Sequence, residues 1–107
     1  MRLSVYSPVT IDAYDSTGLL HTGIIPNPNP ESDLVLYEEK IPNSYYSEFG
    51  EGKTIGLDDD DTYRVVLNGT DFGTFTFEKE TIAGNGAIET ETFTDLPVTP
   101  VTVAEVL

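Results

Sequence analysis

The chain has 107 residues, with nineteen acidic and five basic side chains, and its formal net charge is -14 at pH 7. Because Lys and Arg supply most of the affinity for nucleic acid and anionic lipid, this balance argues against both as partners. The absence of cysteine excludes disulfides, thiol catalysis and cysteine-ligated metal centres. With 38% hydrophobic residues the chain can form a core, and its length predicts a single domain over residues 1–107.

The N-terminal half reads as short strands joined by turns. Residues 2–6 and 9–14 alternate around Pro8, which predicts two strands with Val9, Ile11 and Ala13 facing inward. Residues 15–18 form a predicted turn, and residues 19–25 form the returning strand of a hairpin. Residues 26–33 carry three prolines in five positions, which predicts an extended loop.

The C-terminal half continues this pattern. Residues 34–38 and 53–57 are predicted strands, and residues 41–50 are interpreted as a loop with one helical turn, anchored by Tyr45, Tyr46 and Phe49. Residues 62–93 predict a three-stranded meander with turns at Asn68-Gly69 and Asn85-Gly86, since Asn-Gly between alternating runs favours hairpins. The polar run at 89–92 and the proline-interrupted run at 98–107 are expected at sheet edges.

These elements together predict an all-β domain. Seven to nine short strands with turn signals and no amphipathic helical stretch are typical of an antiparallel β-sandwich, either Ig-like or jelly-roll-like. No apolar run approaches the roughly 18 residues needed to cross a bilayer, so membrane insertion is not expected. Met1 and Arg2 lead directly into a strand-like run without a signal peptide, so an exported domain of this sequence is expected to be a piece of a longer protein.

An acidic run suggests one candidate metal site. Calcium takes six to eight oxygen ligands and favours Asp in loops, although this run lacks the spaced pattern of an EF-hand. The competing interpretation is a solvated turn that keeps a strand end soluble. The candidate calcium ligands are Asp58, Asp59, Asp60 and Asp61, with help from Asp12 and Asp15.

Exposed aromatic residues suggest a second candidate site. Planar aromatic side chains stack on the apolar faces of sugars, and Tyr45 and Tyr46 are the candidate ligand-binding residues, with no tryptophan present. The alternative is that this pair anchors the long loop. Catalysis has little support, because one histidine, no cysteine and no Gly-x-Ser-x-Gly motif leave few nucleophile–base pairs, and His21 is expected on a strand surface.

Three segments also resemble a known module: residues 7–18, residues 41–46 and residues 63–77. They resemble a small β-sandwich near the C-termini of secreted and surface proteins of bacteria and archaea. Where that module often has Gly after Ile-Pro, this chain has Asn43, which tolerates the same positive φ. The resemblance implies a location outside the cell or at its surface and an accessory role, and it supplies no catalytic residues.

The sequence therefore predicts a non-catalytic extracellular accessory domain, which serves as a spacer, stability or protein-interaction module. Its expected partners are other domains of the same parent protein, with a polysaccharide or a surface protein as further candidates. The alternative is a calcium-assisted carbohydrate-binding module, whose one cofactor would be calcium. A catalytic fragment is the third hypothesis.

Overall fold

The computed structural model describes residues 1–6, 8–58, 62–82 and 85–106. In this part of the chain ten antiparallel strands form two five-stranded sheets that pack as a sandwich, and no residue is helical. The strands are β1 (Arg2–Tyr6), β2 (Val9–Asp15), β3 (His21–Ile25), β4 (Leu36–Glu39), β5 (Tyr45–Phe49), β6 (Gly52–Gly56), β7 (Tyr63–Gly69), β8 (Gly73–Ile82), β9 (Ile88–Val98) and β10 (Val103–Val106). The predicted antiparallel sandwich is confirmed, with ten strands instead of seven to nine. The described residues contain no helix long and apolar enough to cross a membrane.

The two sheets are centred on the first two strands. Sheet A has the order β5-β6-β1-β8-β9, and sheet B has the order β10-β7-β2-β3-β4. The alternation predicted for β2 is confirmed, because Val9, Ile11 and Ala13 are buried while their neighbours are partly exposed. The polar strand β9 and the last strand β10 lie at sheet edges, as predicted.

The core lies between the sheets. Full burial of a large apolar side chain stabilises the fold by roughly 1.5–3 kcal/mol, so this layer supplies most of the folding energy. Its buried members are Leu3, Val5, Val9, Ile11, Ala13, Ile41, Tyr46, Ile55, Leu57, Tyr63, Val65, Leu67, Phe75, Phe77 and Val98.

The first Asn-Gly pair is not a hairpin turn, so the predicted three-stranded meander is wrong. Strand β7 lies in sheet B and β8 in sheet A, and Gly69 still pairs with Val9 as the last residue of β7. A Cβ atom at Gly69 would lie 2.1 Å from the carbonyl oxygen of Thr99. This glycine therefore makes room for the chain after β9. The second pair is confirmed, because β8 and β9 form a hairpin and Gly86 has a φ of 85°.

The segment after β4 also differs from its prediction. A turn at residues 41–44, with Asn43 at a φ of 62°, leads into β5, an edge strand of sheet A, so the predicted helical turn is wrong. Side chains alternate along a strand. Tyr46 is therefore buried, whereas Tyr45 is half-exposed and Phe49 is almost fully exposed.

Candidate ligand-binding face on sheet A

The outer face of sheet A carries a shallow furrow along β6. The outer side of β6 is formed by alternate residues, Gly52, Thr54 and Gly56. Ile55, on the opposite side of the strand, is fully buried in the core. Two strands flank this line, with β5 on one side and β1 on the other. We call these three residues the glycine furrow. Because two of the three residues lack a side chain, side chains from β1 and β5 can pack directly on the backbone of β6.

Two tyrosine rings lie over the furrow, one at each end. Tyr45 of β5 pairs with Gly56, and a Cβ atom on that glycine would lie 1.9 Å from Cε1 of Tyr45. Tyr6 of β1 pairs with Gly52, and a Cβ atom there would lie 3.3 Å from Cε1 of Tyr6. The rings are 44% and 42% exposed, so each packs on a glycine and still presents surface to solvent.

Hydroxyl groups lie between the two rings. Ser4 and Thr54 pair across β1 and β6, and their hydroxyl oxygens form a hydrogen bond of 3.1 Å. Ser47 pairs with Thr54 from the other side. The middle of the furrow is therefore polar, with groups that both donate and accept hydrogen bonds.

An ion pair borders the furrow at the Gly56 end. Arg2 donates to Glu80 at 2.5 Å, and this hydrogen bond raises the pKa of the Arg2 guanidinium. Arg2 is the one cationic side chain among the residues lining the furrow and its two adjacent cavities, and Glu80 offsets its charge. The Met1 ammonium group also lies at this end, where it donates to the Leu57 carbonyl at 2.8 Å. The ion pair therefore leaves the furrow without an unpaired cationic side chain.

A cavity opens at each end of the furrow. The cavity at the Gly56 end has a volume of about 300 Å³ and lies between Tyr45 on one side and Ile82 and Ile88 of the β8–β9 hairpin. The cavity at the Gly52 end has about 150 Å³ and is lined by the furrow hydroxyls together with aromatic rings. The Gly52-end cavity therefore has the aromatic and hydroxyl character of the furrow, whereas the Gly56-end cavity adds aliphatic and charged side chains.

The predicted tyrosine pair does not share a face. Tyr45 lies over the furrow, but Tyr46 is 4% exposed and packs at 5.3 Å from the ring of Tyr37, with its hydroxyl donating to Glu48 at 2.6 Å. Burial, and then this hydrogen bond, raise the pKa of the Tyr46 phenol. Tyr46 therefore anchors strand β5 at the sheet edge, and Tyr6 is the ring that accompanies Tyr45.

The candidate calcium ligands have separate partners in the structure. Asp12 contacts His21, and Asp58 accepts a hydrogen bond from Asn43 at 3.0 Å. Asp15 accepts from Thr17 at 2.7 Å and from two backbone amides, which lowers its pKa and closes the β2–β3 turn. Asp59, Asp60 and Asp61 lie outside the described residues. Among the residues that are described, no group of three or more His, Asp or Glu side chains is placed to hold a metal. The calcium site stays a prediction.

Sheet B carries a charged cluster on its own outer face. His21 is placed with Nε2 2.8 Å from Asp12 and Nδ1 2.8 Å from Glu38, and its side chain is 13% exposed. Gly23 leaves space for this contact, because a Cβ atom there would lie 2.6 Å from the Asp12 carboxylate. The hydrogen bond from His21, followed by the charge of Lys40, lowers the pKa of Glu38. His21 is on a strand surface, as expected, but both of its ring nitrogens are engaged.

Sequence reasoning missed Tyr6 and the glycine furrow. The signal was present, because Gly52, Thr54 and Gly56 recur with period 2 and must lie on one face of a strand. What period 2 does not show is which strands lie on either side. Only the pairing of β6 with β1 and β5 brings Tyr6 and Tyr45 to these glycines.

Comparison of the chain with models of protein families, with curated proteins and with solved structures found no match. The resemblance to the secreted β-sandwich module therefore stays a prediction, and function must be argued from the geometry of the site.

Proposed function

We propose that this protein is a non-catalytic accessory domain of a larger exported protein, which it serves outside the cell or at the cell surface. The observation that carries the proposal is the outer face of sheet A, where Tyr6 and Tyr45 are held over the glycine furrow with hydroxyls between them. Aromatic rings fixed by packing and partly exposed are typical of recognition surfaces. The extracellular location is supported by the module resemblance alone.

The chemistry of the titratable groups supports a binding role over a catalytic one. The general acid of a glycosidase is a carboxyl group whose pKa is raised by an apolar site. In this chain hydrogen bonds lower the pKa of Asp15 and of Glu38. The imidazole of His21 has a carboxylate at each nitrogen, so neither nitrogen is directed at a substrate.

The test is a binding panel that includes targets of different classes. The panel comprises insoluble polysaccharides, purified peptidoglycan, collagen and fibronectin, each incubated with the wild-type chain and assayed for released products. We expect retention on at least one target without product release. The double variant Tyr6→Ala/Tyr45→Ala should lose this retention, and Phe72→Ala, an exposed aromatic on the β7–β8 loop, should keep it. Retention that survives the double variant, no retention on any target, or turnover would overturn the proposal.

Carbohydrate binding is the second candidate function, and the same face favours it. The calcium-assisted form of this hypothesis depends on residues 58–61, of which only Asp58 is described, with help from Asp12 and Asp15. Each of these three carboxylates has another partner in the structure. The furrow itself contains no carboxylate cluster, so the structural argument for sugar binding is made without a metal.

A further inference from the structure

We propose that the ligand of this face is a neutral polysaccharide, whose chain lies along the glycine furrow with sugar rings stacked on Tyr45 and Tyr6. This inference rests on the proposed function, because it takes the furrow as the binding face. It adds the chemical class of the ligand and the direction in which the ligand runs.

The spacing of the two rings fits an extended chain. Tyr45 covers Gly56 and Tyr6 covers Gly52, four residues apart on β6, which corresponds to about 13 Å along the strand. A single sugar ring is shorter than this distance, so contact with both tyrosines needs an oligosaccharide. Phe49, 93% exposed, pairs with Gly52 from β5 on the side opposite Tyr6, and it widens the aromatic platform at this end, where both rings line the same cavity.

The groups between the rings match sugar hydroxyls. Ser4, Thr54 and Ser47 form a row of hydroxyls across three strands, and each can donate and accept. A pyranose presents apolar C–H faces and an equatorial rim of hydroxyls. Aromatic rings at both ends with hydroxyls in the middle are complementary to a chain of such units.

Charge selects a neutral chain. The protein carries a net charge of -14, and Arg2 beside the furrow is already paired with Glu80. Glu78 pairs with Ser4 in the next strand and adds a negative charge to the same face. Uronic acids, sulfated sugars and phosphate-linked polymers are therefore repelled.

A folded protein partner fits this face less well. The strongest contacts of a protein interface cluster in an apolar centre that is shielded from water by its rim. Here the order is reversed, because the aromatic rings lie at the ends of the furrow and the centre consists of hydroxyls. A central row of hydroxyls requires a partner that supplies hydrogen bonds along its whole length, as a polysaccharide does.

The experiment measures affinity for soluble polysaccharides by gel retardation and calorimetry. The neutral probes are hydroxyethyl cellulose, xyloglucan, mixed-linkage glucan and galactomannan, and the anionic probes are polygalacturonate and alginate. We expect retardation by at least one neutral probe and none by the anionic probes. Tyr6→Ala and Tyr45→Ala should each weaken binding about tenfold, the equivalent of about 1.4 kcal/mol, and Phe72→Ala should bind like wild type.

Two further variants separate sugar recognition from apolar docking. Gly56→Ala keeps Tyr45 but forces its ring off the sheet, so affinity should fall although no aromatic is removed. Thr54→Val removes a hydroxyl at nearly constant volume, which should weaken binding to a sugar and leave docking of an apolar surface unchanged. The melting temperature of each variant checks that its fold is intact.

The outcomes distinguish this inference from the proposed function. Binding to an anionic polysaccharide alone, or to collagen or fibronectin alone, with sensitivity to Tyr6→Ala and Tyr45→Ala, leaves the proposed function standing and overturns the neutral-glycan inference. Neutral-glycan binding that is insensitive to both tyrosines overturns both proposals. Absence of any binding to the neutral probes overturns the inference.

Discussion

Replacement of Gly69 by Ala tests the way in which the two sheets are connected. The added Cβ atom would lie 2.1 Å from the Thr99 carbonyl oxygen and 2.5 Å from Cγ2 of Val98, more than 1 Å short of ordinary contact in the first case. Backbone must move to relieve this clash, which costs about 1–3 kcal/mol. The movement also strains the hydrogen bond from the Gly69 amide to the Thr102 carbonyl at 2.8 Å, worth about 1 kcal/mol. We expect a total destabilisation of about 2–4 kcal/mol.

The assay is urea unfolding monitored by tyrosine fluorescence, together with thermal melting. A loss of this size should lower the melting temperature by roughly 10–20 °C. The matched control is Gly18→Ala, at a turn glycine with a φ of 76° and no atom within 4 Å of the added Cβ, where backbone strain alone costs about 1 kcal/mol. If Gly69 were a turn residue, the two variants would behave alike. Equal destabilisation would therefore refute the packing of residues 98–99 on Gly69.

Four further predictions concern the core, two titratable sites and calcium. Leu3→Ala, at a side chain that is 1% exposed, should destabilise the fold by about 2–5 kcal/mol in urea unfolding. Because the pKa of Glu38 is lowered in the folded state, its carboxylate stabilises the fold above pH 4.5, and this stabilisation is lost as pH falls through the pKa of the folded state. His21→Gln should therefore make the free energy of unfolding depend less steeply on pH in this acid range. Because the pKa of Tyr46 is raised, its phenol should ionise later than the exposed tyrosines in an alkaline ultraviolet titration. The free energy of unfolding should fall as pH rises above 10.0, because Tyr46 ionises at lower pH in the unfolded chain than in the folded protein. Calcium at a hundredfold excess over its dissociation constant should stabilise the protein by about 2.7 kcal/mol relative to chelator, if the predicted acidic site binds it.

Each of these predictions has an outcome that contradicts it. A loss below 1 kcal/mol in Leu3→Ala would place that side chain outside the core. An acid limb that is identical in His21→Gln and wild type would mean that His21 does not set the charge state of Glu38. In the alkaline titration Tyr46→Phe is the control, and a late-ionising phenol that persists in this variant would belong to another tyrosine. Equal melting temperatures in calcium, magnesium and chelator would refute the predicted calcium site.

The sequence predicted the local structure of this protein. Alternation with period 2 predicted the buried face of β2, and Asn85-Gly86 predicted the β8–β9 hairpin. These features depend on neighbouring residues alone, because side chains alternate along any extended strand and a left-handed turn selects Gly. The class of fold followed from the same local signals.

The strand partners depended on tertiary structure. Asn68-Gly69 has the composition of a turn, yet β7 bonds to β2 and β10 while β8 bonds to β1 and β9. Phe75 and Phe77 would face the core from a strand in either sheet. The local sequence pattern therefore does not show whether β8 pairs with β7 or lies in the other sheet. The conformation of residues 45–49 also depends on tertiary structure, because these residues form strand β5 by pairing with the edge of β6.

The candidate site shows this division most clearly. The sequence by itself determined that Gly52, Thr54 and Gly56 share one face of a strand and that Tyr45 and Tyr46 point to opposite faces if extended. Only the tertiary structure decided that Tyr6, nearly fifty residues away in the chain, covers one end of that strand and Tyr45 the other. The physical reason is that antiparallel pairing joins residues that are distant in sequence. A surface assembled from three strands is therefore encoded in their register, which no single segment specifies.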